Sequence, residues 1–230
     1  MLNLIKLELK RMNLKNVALS FVLINVAIIG MLMLLGIEPE AASEFLASPD
    51  DIRILIELFA IAAFVIYASV LLSQLIIEEF KNKTISFLFL YPISRKKLLM
   101  AKLIIVSVLT FFFVIASVLI AYYSFSAFNS VYAFTAVKLG GTLSLNYIVH
   151  LVVLAIACAG LSLIPLFFGM RKYSVPATII SAIAIVALLS SSVDMNDTNL
   201  FSITAVPVFL GVLGFIIANL VVGRAVKKDF

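Results

Sequence analysis

Residues 103–123 read LIIVSVLTFFFVIASVLIAYY, a run that contains no charged side chain. About 20 apolar residues in an α-helix, which rises 1.5 Å per residue, are enough to cross the hydrocarbon core of a bilayer. A soluble helix of this length would carry charges on the face that it turns to water. The run is therefore predicted to be a transmembrane helix.

Five further apolar runs have a comparable length, and they cover residues 17–37, 54–77, 147–168, 175–192 and 203–223. Over its 230 residues the chain is 64% hydrophobic and 13% charged, whereas about 25% of the residues of a soluble domain are charged. We expect an all-α integral membrane protein with six transmembrane helices, forming a single transmembrane domain over residues 1–230. The aromatic stretch 124–146 is expected to be a loop that lies at the outer membrane surface or re-enters the membrane.

The N-terminal residues 1–16 alternate charged side chains with Leu2, Ile5, Leu9 and Met12, a spacing that gathers the apolar residues on one helical face. Such a pattern is typical of a helix that lies in the membrane interface. The alternative is a solvated extension of the first transmembrane helix.

The basic residues are distributed unevenly along the chain, which has a net charge of +5. If the N-terminus lies in the cytoplasm, every Lys and Arg except Arg53 and Lys138 falls on the cytoplasmic side of the six predicted spans. Positive residues in short loops favour that side. We therefore expect a multi-pass protein of the plasma membrane with both termini in the cytoplasm. Nucleic-acid binding is disfavoured, because it requires a solvated basic face.

Groups that could perform chemistry inside the membrane are scarce. His150 is the single histidine, and with no second histidine in a span a metal site is not expected. Glu57 lies about one turn into the second span and is expected to reach the outer surface. The pair Glu78-Glu79 faintly resembles the glutamate motif of intramembrane CAAX-type proteases, but the later histidines of that motif are missing. No phosphate-binding loop is present either, so neither catalysis nor a cofactor is expected in this chain.

The stretch between the second and third spans, residues 78–102, reads EEFKNKTISFLFLYPISRKKLLMAK. It is too long for a turn and too apolar in its middle for a solvated loop. Residues 84–91 can form two turns of helix, which Pro92 ends because proline lacks a backbone donor and disfavours helix at the residue before it. Ser94 is a good N-cap for the basic helix that follows. A short apolar helix projecting into the cytoplasm is a surface that a soluble partner can bind.

This stretch resembles the signature of ABC-2 type transporter permeases, in which an acidic residue ends the second span and a short helix led by threonine precedes a proline, a serine and basic residues. The matching residues here are Glu79, Thr84, Pro92, Ser94, Arg95 and Lys102. Many relatives have a glycine before the threonine, where this chain has Lys83. The N-terminal interfacial helix and the six spans also fit the family, so the resemblance extends over essentially the whole chain.

The resemblance implies a mechanism and partners. Two permease chains, identical or different, would pair in the membrane, and each would place its short cytoplasmic coupling helix in a cleft of a separate ATPase subunit that binds ATP and Mg²⁺. The residues implied in this coupling are Glu79, Thr84, Phe87, Phe89, Pro92, Arg95 and Lys102. The first, second and fifth spans would line the substrate route, on which the candidate polar residues are Asn25, Glu57, Ser69, Ser73 and Ser181. Hydrogen bonding between helices is the alternative role for such residues.

The expected substrate class rests on similarity to other permeases and on the apolar character of the spans. In its small size and short loops, this chain resembles the permeases that export, or confer immunity to, amphipathic peptides such as lantibiotics and phenol-soluble modulins. Apolar spans with scattered hydroxyl groups also suit an amphipathic substrate better than an ion or a sugar. The alternative hypothesis is a membrane scaffold or sensor that recruits a cytoplasmic protein through the same loop and transports nothing.

Overall fold

The computed structural model describes residues 2–38, 45–46, 48–82, 94–132, 144–190 and 205–227. Within these ranges the regular structure is helical. We number the helices α1 to α8 in chain order: Leu2–Arg11, Leu14–Ile37, Pro49–Lys81, Arg95–Tyr132, Leu145–Leu161, Pro165–Lys172, Val175–Ser190 and Ala205–Lys227.

Helix α3 begins earlier and ends later than the predicted span 54–77. Its start is set by a capping box, in which the Ser48 hydroxyl accepts a hydrogen bond from the Asp51 amide at 3.1 Å and the Asp51 carboxylate accepts one from the Ser48 amide at 3.0 Å. These bonds satisfy donors that a helix start leaves unpaired. The helix then continues to Lys81, with a π-helical stretch at Ser73–Ile77. Its 33 residues correspond to about 50 Å, so it is longer than the hydrocarbon core is thick.

Helix α4 corrects part of the expectation that residues 124–146 form a loop, because the helix continues to Tyr132. Residues 133–143 of that stretch lie outside the described residues. Tyr122 and Phe125 are 1% and 2% exposed. They therefore pack inside the bundle and do not form a belt at the membrane surface. The burial of side chains along this end of α4 explains why the helix extends beyond the predicted span 103–123.

The predicted span 147–168 is not one continuous helix. Helix α5 ends at Leu161, a turn covers Ser162–Ile164, and α6 restarts at Pro165. Proline explains the break, since its ring clashes with the carbonyl of Leu161, four residues earlier, and it has no N–H to donate. Helix α6 ends at Lys172 and is capped by Tyr173, whose φ of 48° is left-handed. Helix α7 begins two residues after Tyr173.

Helix α8 packs closely against α5 at small residues. A Cβ added at Gly211 would lie 2.7 Å from the carbonyl oxygen of Ala157 and 2.8 Å from its Cα. A Cβ at Gly214 would collide with the backbone of Gly160. Glycine at these positions lets the two backbones approach each other, as is common between membrane helices.

Two apolar cores hold the helices together. The first joins α2, α3, α4, α5 and α7, with Phe64, Val118 and Leu154 among its buried residues. The second lies where the end of α3 meets the start of α4, α6 and the end of α8, and it includes Phe80 and Leu99. Helix α1 packs against α4.

The outer surface of the bundle is apolar. Large apolar side chains are more than half exposed, among them Leu23 (59%), Phe112 (60%), Ile156 (52%) and Leu220 (58%). A water-soluble monomer rarely exposes so much apolar surface. Within the described ranges, four helical stretches are long and apolar enough to cross a membrane, and they are α2, α3, α4 and the stretch Leu145–Arg171, which combines α5 with most of α6. The shorter apolar helices Val175–Ser190 and Val208–Arg224 accompany them. The architecture is that of a helical, multi-pass membrane protein.

Candidate functional site

A buried ionic cluster lies at the end of α3. The Glu79 carboxylate is 2.5 Å from the Lys102 ammonium on α4 and 2.9 Å from the Arg11 guanidinium on α1. The side chain of Glu79 is 9% exposed and that of Lys102 is 0% exposed. Glu8, also buried, places a carboxylate oxygen 3.9 Å from the Lys102 nitrogen. We call these four residues the base cluster.

Lys102 of the base cluster also contacts the main chain of α3, because it donates a hydrogen bond to the carbonyl oxygen of Leu75 at 2.8 Å. Leu75 lies in the π-helical stretch of α3. A π-helical stretch shifts hydrogen bonds from i→i+4 to i→i+5. This irregularity explains how a carbonyl within a helix is accessible to a lysine from a neighbouring helix. Lys102 is thus paired with both the side chain and the backbone of α3.

A ring contact joins the same end of α3 to the corner between α6 and α7. The rings of Phe80 and Tyr173 are stacked, with centroids 5.4 Å apart and planes 11° from parallel. Tyr173 is the non-glycine residue with positive φ within the described ranges, a conformation that usually needs support from its surroundings. The stacked ring gives that support, so the residue next to Glu79 anchors the end of α3 to this corner.

A second polar cluster, the far cluster, lies near the start of α3. Glu57 is 6% exposed, and its carboxylate is 3.6 Å from His150 Nδ1 on α5. Tyr147 stacks beside His150 at 6.3 Å between centroids, and the Arg53 guanidinium lies 5.3 Å from the centre of the Tyr147 ring. Glu57 and Glu79 lie on the same helix, about 33 Å apart at 1.5 Å per residue. The two clusters are thus separated by about the thickness of a hydrocarbon core.

A cavity of about 340 Å³ opens between α2 and α3. Its walls combine apolar side chains with polar ones, the latter being Asn13, Asn16, Ser20, Tyr67 and Gln74. Mixed lining of this kind can accept a ligand that has both an apolar and a polar face.

Comparison with known proteins identifies the family. Residues 4–187 match the family described as ABC-2 family transporter protein. The chain belongs to the ABC-2 transporter family. A relative from Bacillus subtilis (strain 168), named uncharacterized protein YcbO, is 37% identical over 229 residues, which cover 99% of this chain and 100% of the relative. No solved structure matches the chain.

Family membership confirms the resemblance that the 78–102 stretch indicated. ABC-2 permeases are transmembrane subunits of ABC exporters, and ATP is hydrolysed by a separate subunit. Membership thus implies association with a cytoplasmic ABC ATPase and with the lipid bilayer.

The structure brings together two of the predicted coupling residues of this ABC-2 permease, Glu79 and Lys102, as a buried ion pair. Arg95 is the first residue of α4, directly after Ser94, as expected. The remaining predicted coupling residues lie outside the described residues, and they are Thr84, Phe87, Phe89 and Pro92.

The sequence analysis missed Glu8 and treated Arg11 only as a marker of orientation. A signal was present, since Glu8 is the one acidic residue among the many basic ones of residues 1–16. It also precedes Arg11 by three positions, which places both side chains on one helical face. An acid in a segment that is otherwise basic indicates a specific cationic partner.

The predicted substrate-path residues are distributed over α2, α3 and α7. Most of them bond to their own helix: the Asn25 amide donates to the Phe21 carbonyl at 2.8 Å, and the hydroxyls of Ser69, Ser73 and Ser181 donate to carbonyls three or four residues earlier. Their Oγ–O distances are 2.7, 2.9 and 2.8 Å. Glu57 differs from the expectation, because it pairs with His150 inside the bundle and does not reach the outer surface.

Proposed function

We propose that this chain is a permease subunit with six transmembrane helices that pairs with a second permease and exports amphipathic peptides. Both termini would lie in the cytoplasm, as the distribution of basic residues favours. The far cluster would then lie near the outer surface and the base cluster near the cytoplasmic one. The length of α3 between the two clusters supports this arrangement.

The observation that carries the proposal is the buried pair of Lys102 and Glu79. In the sequence, segment 83–93 connects the end of α3 to the start of α4, so the pair of Glu79 and Lys102 joins the two helices that flank this segment. Lys102 bonds to α3 in two places, and Arg11 adds α1 to the same carboxylate. A force applied to segment 83–93 by an ATPase would therefore move α1, α3 and α4 together.

We infer that Glu79 acts by position and not by chemistry. Its carboxylate is occupied by two cations, which leaves it poorly placed to act as a base toward a substrate. Arg95, at the other edge of segment 83–93, would hold the start of α4 at the membrane surface. Glu79→Gln and Arg95→Lys are expected to retain partial transport while they loosen the dependence of ATP turnover on substrate.

The proposed substrate class is supported by the cavity between α2 and α3. Its polar side chains lie beside apolar ones, so the cavity can receive a few residues of an amphipathic peptide, with an apolar side chain against its apolar wall and a polar group against its polar wall. The first and second spans are also those that the family resemblance assigns to the route.

The test is to coexpress the permease with a candidate ABC ATPase subunit from the same genome and to measure copurification. Phe87→Ala combined with Phe89→Ala is expected to cost more than about 2 kcal/mol of association, because buried aromatic side chains dominate many interfaces. The matched control is Phe112→Ala combined with Phe209→Ala, since these rings are 60% and 64% exposed on the apolar outer surface. Equal copurification of both double variants would contradict the coupling role of segment 83–93.

A second measurement separates an exporter from a scaffold or sensor. The ATPase rate of the reconstituted complex is compared with and without an amphipathic helical peptide in the vesicle lumen and outside. An exporter is expected to show peptide-dependent turnover and net movement of peptide. An ATPase that binds but does not respond to any peptide would favour the scaffold.

A further inference from the structure

An apolar groove of about 510 Å³ runs along the outer surface between α4, α5 and α8. Its floor includes the small, buried side chains of Ala159 and Ala218. The larger side chains of Phe112, Ile156 and Phe215 line it and are 60%, 52% and 37% exposed. The groove therefore arises because alanines lie between rows of bulky residues. It is separate from the cavity between α2 and α3.

The groove has a basic end. Lys97, Met100, Ile104 and Val108 follow one another at intervals of three and four residues, which places them on one face of α4. The last three line the groove, so Lys97 lies one turn beyond its end. Lys96 is beside it, and both lysines are exposed. Within the described ranges neither lysine forms an ion pair with a carboxylate.

The dimensions of the groove suit a chain thinner than a helix. An α-helix with its side chains is about 10 Å across, so 510 Å³ corresponds to only about four helical residues. A methylene group occupies roughly the 30 Å³ of a water molecule. The groove thus has the volume of about one acyl chain with 16 to 18 carbon atoms.

We propose that this groove binds one acyl chain of an anionic phospholipid, whose phosphate is held by Lys96 and Lys97. The acyl chain fills an apolar volume that water cannot solvate favourably, and the two ammonium groups meet a negative head group. Each lysine near a membrane surface contributes roughly a 5-fold preference for anionic lipid. Occupation also covers the surface of α4 that lines the groove, from Met100 to Phe112.

The absence of tryptophan from this chain permits a direct test. Phe112→Trp introduces a single fluorophore in the groove, and Phe209→Trp introduces one on the outer surface of α8. Both positions lie 15 residues from an exposed basic residue, Lys97 and Arg224 respectively, so the fluorophores are matched in distance from positive charge. Each full-length variant is reconstituted in phosphatidylcholine vesicles that contain a small, equal fraction of either dibrominated phosphatidylglycerol or dibrominated phosphatidylcholine, whose bromines quench tryptophan.

At the Phe112→Trp site, quenching is expected to show that brominated phosphatidylglycerol associates about 10-fold or more in preference to brominated phosphatidylcholine. At the Phe209→Trp site, quenching is expected to show no such preference. Lys96→Ala combined with Lys97→Ala should abolish the preference, whereas Lys96→Arg combined with Lys97→Arg should retain it. Lys6→Ala combined with Lys10→Ala removes two charges from α1 and should leave it unchanged.

Three outcomes would overturn the proposal. Equal preference at both fluorophores would mean that the basic rim attracts anionic lipid without any groove. If Lys96→Ala combined with Lys97→Ala left the preference for brominated phosphatidylglycerol unchanged, the two lysines would not form a head-group site. Protection of the Phe112→Trp fluorophore from both brominated lipids would show that protein, such as a second copy of the chain, covers the groove. If Phe112→Trp does not fold, Ile156→Trp, at a groove position that is 52% exposed, serves in its place.

Discussion

Replacement of Lys102 by methionine is the perturbation that tests the base cluster most directly. Methionine is an unbranched side chain that can fill most of the lysine's space, so the change removes a charge and a donor with little loss of packing. It removes the 2.8 Å hydrogen bond to the Leu75 carbonyl, and it removes one of the two cations that contact Glu79 while the contact with Arg11 remains.

The magnitude follows from these contacts. Removal of one partner from a buried ion pair costs about 3–5 kcal/mol. Because Arg11 still contacts the Glu79 carboxylate at 2.9 Å, we expect the lower end of this range, about 3 kcal/mol. Arg11→Gln is the matched control, since it also removes one cation from Glu79. The Arg11 side chain is 55% exposed, so this variant is expected to cost less than about 1 kcal/mol.

A double-mutant cycle isolates the pair itself. Glu79→Gln combined with Lys102→Met removes both buried charges, and it is expected to cost less than the sum of the two single changes by about 1–3 kcal/mol. The physical reason is that each single variant leaves the other charge buried with fewer partners. Neighbouring residues that share no contact would instead give additive costs.

The assay is unfolding of the purified protein in mixed micelles of increasing SDS fraction, followed by circular dichroism. A cost of about 3 kcal/mol changes the unfolding equilibrium constant by roughly two orders of magnitude. The reasoning is refuted if Lys102→Met and Arg11→Gln cost the same, or if the double variant is additive. Either result would show that burial of Lys102 does not make its contacts stronger than exposed ones.

Two other predictions concern topology and helix packing. A cysteine that replaces Val131, near the end of α4 that the proposed topology places outside, should react with an impermeant thiol reagent added outside intact cells, whereas one that replaces Asn82 should not. Labelling at Asn82 would contradict the proposed cytoplasmic position of segment 83–93. The single native cysteine is buried, so it gives little background. Gly211→Ala should destabilise the fold by about 1–3 kcal/mol through overpacking, because the added Cβ would lie 2.7 Å from the Ala157 carbonyl oxygen. Gly30→Ala, whose Cβ would meet nothing within 4 Å, should be neutral or stabilising in the same unfolding assay, so equal costs would refute the packing argument.

Much of the fold is predictable because it depends on local properties of the chain. The length of an apolar run such as 103–123 decides whether a helix can cross the bilayer. The start of α4 after Ser94 likewise follows from short-range signals, namely Pro92 and a favourable capping residue. Helix ends that depend on tertiary contacts were predicted less well. Tyr122 and Phe125 are buried by other helices, and no local signal shows that this burial extends α4 to Tyr132.

The candidate site was predictable only as separate residues. The resemblance to ABC-2 permeases marked Glu79 and Lys102, but it did not indicate that they form a pair, nor that Glu8 and Arg11 join them. A pairing between α1, α3 and α4 depends on how the helices are arranged, and the spacing of residues along the chain carries no record of that arrangement.

The sequence by itself determined that this protein is helical, membrane-embedded and a member of the ABC-2 family, because apolar length and the 78–102 motif are properties of consecutive residues. The tertiary structure decided which charged residues are buried and what they contact. Glu57 illustrates the difference: its position near the end of a span suggested contact with the surface, yet the packing of α3 on α5 places it against His150. A buried charge needs a partner, and only the assembled helices show which one is within reach.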